Sequence, residues 1–80
     1  MRHVHYRLLE RYRIPLEDAE ETEQKIIAAI RRRKGTELLR KRTVWDMTST
    51  WKVHLEGKTY VVVYDATTRN LRTVLPRREE

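Results

Sequence analysis

The side chains best suited to moving protons in this chain are three histidines, His3, His5 and His54, since there is no cysteine. Metal-independent RNA cleavage needs a base for the 2′-hydroxyl proton, an acid for the leaving oxygen and cations around the phosphate. The histidines are natural proton carriers, Tyr64 is a further donor, and Arg7, Arg40, Arg42, Lys52 and Arg72 supply positive charge. His54, Tyr64, Arg72, His3 and Arg7 are therefore the candidate catalytic residues. Their spacing along the chain does not bring them together, so any site they form depends on the fold.

Phosphate binding is the second chemistry these residue types permit. Arg31 to Lys34, Arg40 to Arg42, and Arg69 with Arg72 are three basic clusters. Two of them brought side by side would make a groove for a polyanion, with affinity falling steeply in salt. Tyr60, Tyr64 or a tryptophan nearby would stack on an unpaired base. Arg40, Lys41, Arg42, Lys52 and Arg69 are the candidate nucleic-acid-binding residues. The plainer reading gives Arg31 to Lys34 a helix-terminal task and Arg40 to Arg42 an edge-guarding one.

Composition narrows the remaining choices. Lys and Arg outnumber Asp and Glu by 18 to 12, a net charge of +6, which suits an acidic partner or a nucleic acid. Two glycines are too few for a glycine-rich phosphate loop, and no paired-carboxylate or nucleophile motif is present. Without cysteine there is neither a disulfide nor a thiolate zinc site, and the histidines lack a metal-ligand spacing. No metal and no cofactor are expected. No apolar run approaches the roughly 18 residues of a membrane span, and the N-terminus lacks a signal-peptide apolar region. The expectation is a cytoplasmic protein with no membrane partner.

The elements that would position these residues follow from periodicity. With 80 residues, the chain is read as a single domain over 1–80. Val4, Leu8 and Tyr12 share one face of a helix at about 3–13, ended by Pro15. A second helix spans about 15–34, with Glu17, Asp18, Glu20 and Glu21 early, Arg31 to Lys34 late, and Gly35 as its cap. Its inner stripe is Leu16, Ala19, Glu23, Ile26, Ile27 and Ile30, with Glu23 placed at the stripe's edge.

Strands are expected at about 37–45, 50–56, 58–65 and 70–75. The register of the central hairpin turns on its loop. A two-residue Glu56-Gly57 loop puts Tyr60 and Tyr64 on the face of Trp51, whereas a three-residue loop ending in Gly57 puts Val61 and Val63 there. Glutamate is a poor first residue of a two-residue turn, which favours the longer loop. Lys52, His54, Tyr60 and Tyr64 would then share the face away from Trp51. Helices followed by strands imply α+β: two N-terminal helices on one face of a three- to four-stranded antiparallel sheet, the other face open for a site. Arg77 to Glu80 reads as a frayed tail.

His3, Arg7 and Arg11, followed by Ile14, Glu17 and Asp18, resemble the opening of small bacterial and phage proteins related to the RelE/ParE-type toxins. Gly57, Val61 to Val63 and Thr73-Val74 look like that family's closing strands. The chain carries one extra residue between Arg11 and Ile14. The resemblance implies a RelE-like fold of two helices against a curved antiparallel sheet. It also implies a ribonuclease or toxin role, in some members under a protein antitoxin. Three functional expectations result: a small ribonuclease acting on RNA, a non-enzymatic phage-type protein that modulates a host protein or a nucleic-acid machine, and a subunit pairing through an exposed sheet edge.

Overall fold

The computed structural model describes residues 2–76; the expected C-terminal tail, Arg77 to Glu80, lies outside them. Two helices, α1 (His3–Tyr12) and α2 (Leu16–Arg32), precede four strands: β1 (Thr36–Arg40), β2 (Thr48–Leu55), β3 (Lys58–Asp65) and β4 (Asn70–Leu75). The strands form one antiparallel sheet in the order β1-β2-β3-β4. The architecture is the α+β arrangement expected from the sequence, with both helices N-terminal to the strands.

Helix α1 forms because its apolar residues recur at four-residue spacing, and Val4, Leu8 and Tyr12 are buried. It stops at Arg13, which turns left-handed (φ 56°), and the Arg13 and Ile14 amides return to Leu9 and Leu8 carbonyls. Helix α2 begins after Pro15 and buries Ala19, Glu23, Ile26, Ile27 and Ile30. Its cap is Arg33 (φ 53°), two residues before the expected Gly35. Gly35 answers a different demand. It is itself left-handed (φ 65°), and a Cβ there would stand 3.0 Å from the His54 carbonyl oxygen as the chain enters β1.

The sheet side of the core is Trp51, Val53, Tyr60, Val62, Leu71 and Val74. The hairpin between β2 and β3 is the two-residue one: Leu55 pairs with Lys58, and Glu56 (φ 50°) and Gly57 (φ 78°) are both left-handed. This is the turn whose twist matches a hairpin, and Gly57 supplies one of its two positive-φ positions without strain. Glu56 occupies the other, and its carboxylate lies 2.8 Å from the Lys25 ammonium. The longer loop favoured from sequence is therefore corrected, and the faces exchange. Trp51 pairs with Val62 and Val53 with Tyr60, so Tyr60 and Tyr64 join the helix-side face.

Two further features tie the ends of the chain together. Glu23 is buried at 1% exposure, not at the stripe's edge as expected. Its two carboxylate oxygens meet His5 Nε2, at 3.0 Å, and the Arg2 guanidinium, which also donates to the Leu71 carbonyl. A carboxylate this deep is tolerable because both oxygens are occupied. The Tyr12 hydroxyl donates to the Leu75 carbonyl at 2.7 Å and accepts from the Val61 amide at 3.0 Å, bridging β3 and β4.

Candidate nucleic-acid interface

A groove of about 330 Å³ lies on the helix side of the sheet, beyond the end of α2. Its walls are Arg31 and Arg33 from the α2 terminus and Lys41 and Arg42 from the segment after β1. Trp51 and Tyr64 form its floor, with Ser49 between them and Leu38 at the side. The left-handed turn at Arg33 ends the helix and starts the path into β1, which sets these two basic segments on either side of one cleft.

The electrostatics are one-sided. Among the described residues, none of the four cations has an ion-pair partner, and no carboxylate lines the groove. A helix C-terminus carries roughly half a negative charge, which four cations outweigh. The Trp51 indole N–H donates to the buried Ser49 hydroxyl at 2.8 Å, fixing the indole in place. Tyr64 is half-buried and packs against the core from the same face. The groove thus sets cations without ion-pair partners among the described residues beside aromatic surface.

The candidate catalytic residues are not brought together. His54 is exposed on the open face, where its Nδ1 lies 2.9 Å from the Thr59 hydroxyl. Tyr64 is on the opposite face, in the groove. His3 and Arg7 are neighbours on α1, with the Arg7 Nε donating to His3 Nε2 at 3.3 Å and its Nη1 to Glu10 at 2.9 Å. Arg72 stands at a bulge in β4, 3.5 Å from Asp65. The physical reason is the hairpin register, which moves Tyr60 and Tyr64 away from His54.

Of the candidate nucleic-acid-binding residues, Lys41 and Arg42 line the groove. Arg40 ends β1 opposite Thr50, on the other face. Lys52 is also on the open face, 3.8 Å from Glu37. Arg69 occupies the left-handed position of the β3–β4 turn (φ 59°) and is exposed. On the open face Lys52 pairs with Glu37 and Arg72 with Asp65, while Arg40 has no ion-pair partner among the described residues. Around the α2 terminus, Arg31, Arg33, Lys41 and Arg42 gather with no ion-pair partner among the described residues.

Comparison with protein-family models, with curated proteins and with solved structures gives no match. The site must therefore be read from its own geometry. His3, Arg7 and Arg11, which carry the family resemblance, have local partners here. Arg11 donates to the Val74 carbonyl of β4 at 2.5 Å, and Arg7 bridges His3 and Glu10. No helix among the described residues is long and apolar enough to cross a membrane. Nor does any cluster of three His, Asp or Glu side chains among them suit a metal.

Arg31 and Arg33 belong to the basic cluster Arg31 to Lys34, which the sequence leaves open between a phosphate groove and a helix-terminal task. Their signal was present as the four-residue basic run Arg31 to Lys34. Trp51 was placed on the covered face. That α2 stops short and leaves Trp51 at the base of a cleft had no mark in the sequence.

Proposed function

We propose that the protein binds a single-stranded segment of RNA in the groove between α2 and β1, and acts by binding without cutting. The observation that carries this reading is the convergence of Arg31, Arg33, Lys41 and Arg42, without ion-pair partners among the described residues, over an aromatic floor. Cations that track a phosphate backbone beside a ring that accepts a base are the two components of sequence-tolerant single-strand recognition. RNA is favoured over DNA by the resemblance of the N-terminal helix to the RelE/ParE-type toxins, whose ribonuclease role this reading does not carry over. Cleavage would require a proton acceptor at the phosphate, and the groove's lining holds neither histidine nor carboxylate.

The test is fluorescence anisotropy with a labelled 12-nucleotide RNA, alongside the same sequence as DNA and as a duplex. Single-stranded RNA should bind best and be recovered intact from the mixture. Tyr64→Phe should retain binding and Tyr64→Ala should weaken it about tenfold, the loss expected for one stacked base. A Lys41→Glu/Arg42→Glu protein that binds as well as the wild type would refute the site. RNA cut in a manner abolished by Tyr64→Phe would refute the non-catalytic reading and return the toxin-type ribonuclease to first place.

A further inference from the structure

The two outer edges of the sheet are finished differently. On β4, outward carbonyls are occupied by arginines of the first helix and the residue before it: Leu71 O by Arg2 and Val74 O by Arg11. On β1, the His54 amide donates to the Gly35 carbonyl at 2.8 Å, and Glu37 pairs with Lys52 two residues on. By the antiparallel alternation, Thr36 and Leu38 between them turn their amides and carbonyls away from β2. Among the described residues no strand covers that row. An exposed, unfinished edge is what a second chain can extend.

Apolar side chains gather at this edge. Leu38 is 47% exposed, Leu39 39%, Met47 40%, Val44 87% and Trp45 94%. The loop presenting them is held in place. The Thr43 hydroxyl accepts from the Trp45 and Asp46 amides, and the Thr43 amide donates to the Asp46 carbonyl at 2.8 Å. The Asp46 carboxylate accepts from both the amide and the hydroxyl of Thr48. Val44 and Trp45 are thus displayed on a fixed turn, and an exposed tryptophan of this kind is the commonest sort of binding hot spot.

We propose that β1 receives an extended acidic segment of a partner protein as a fifth strand, anchored by Trp45. Charge selects this occupant. Arg40, Lys41 and Arg42 follow the edge, and its one acid, Glu37, faces Lys52. A second copy of the chain would bring the same basic triplet to the edge and be repelled by it. A nucleic acid would use the cations but leave the outward backbone groups and the leucines without partners. Alternating acidic and apolar residues in the segment satisfy all three features.

The experiment is a phage-displayed library of random 12-residue peptides panned against the folded protein, with the best binder measured by tryptophan fluorescence and calorimetry. Sequences alternating apolar with acidic residues should be enriched. Trp45→Ala, at a fully exposed position, should weaken the selected peptide at least tenfold. Leu38→Pro should do the same, since it removes an amide that β2 does not use and leaves Lys41 and Arg42 in place. Circular dichroism checks its fold, and RNA binding by Trp45→Ala, whose side chain lies outside the groove, should persist, separating the edge from the groove. Selection of basic or patternless peptides overturns the proposal, as does binding indifferent to both substitutions. Sedimentation that reveals a dimer dissolved by Leu38→Pro would assign the edge to a second copy and also overturn it.

Discussion

Salt dependence tests the groove quantitatively. If all four cations contact phosphates of a single strand, log K should fall against log salt with a slope of about −2.8, taking about −0.7 per contact. Raising salt fourfold, from about 50 to about 200 mM, should then weaken binding about 50-fold. Lys41→Ala/Arg42→Ala removes two contacts, so its slope should be about −1.4 and its loss over the same range about 7-fold. Both side chains are exposed and have no ion-pair partner among the described residues, so the fold should not change. The assay is anisotropy of a labelled RNA at five salt concentrations. Arg40→Ala/Lys52→Ala, on the other face, serves as the control and should keep the wild-type slope. The reasoning fails if the groove variant keeps the full slope, or if the control loses as much as the groove variant does.

Four other outcomes follow from the packing. Tyr12→Phe keeps the ring beside Tyr60, with centroids 4.9 Å apart, but leaves the Val61 amide and Leu75 carbonyl without the bridging hydroxyl. Urea denaturation should register a loss of about 2 to 3 kcal/mol. Glu23→Ala strands the half-exposed Arg2 and the buried His5, and should cost about 3 kcal/mol, the low end for a broken buried pair. Glu56→Asn, better suited to a left-handed turn position, should gain about 0.5 to 1 kcal/mol even after losing the exposed Lys25 pair, measured as a higher urea midpoint. The Thr48 hydroxyl and amide hold the Asp46 carboxyl below its ordinary range. A depressed folded-state value means that this contribution is present above the unfolded value and fades as pH falls through the folded one. Carboxyl NMR should show an Asp46 midpoint lower than a model aspartate's, rising toward it in Thr48→Ala.

The legible part of the fold was what repetition along the chain encodes. Val4-Leu8-Tyr12 and Ala19-Glu23-Ile26-Ile30 mark two buried stripes, and apolar runs broken by Gly57 and Asp65 to Asn70 mark the strands. The hairpin register was not legible, because it rests on Glu56 accepting a backbone conformation that its residue type resists. Lys25, 31 residues earlier, provides the contact. Glu23 was visible as an oddity on its stripe, but its partners Arg2 and His5 come from another helix turn and the N-terminus. Beyond Arg40, β1 gives way to a turn that Thr43 and Asp46 build with their own side chains, and weak alternation to Trp45 masked it. The groove suffered from the same limit. Each basic run could be seen, but its distance from the other is a property of how α2 ends.

The ties from Arg2, Arg11 and Tyr12 to Leu71, Val74 and Leu75 span 63 to 69 residues of chain. The flank of the first helix that rests on β4, beside its packing on α2, is therefore covered only when that distant strand joins the sheet. Such long-range closures are slow and prone to off-pathway association. Removing the final strand should accordingly disable the whole molecule, because the N-terminal helix would lose the surface it was shaped to rest upon.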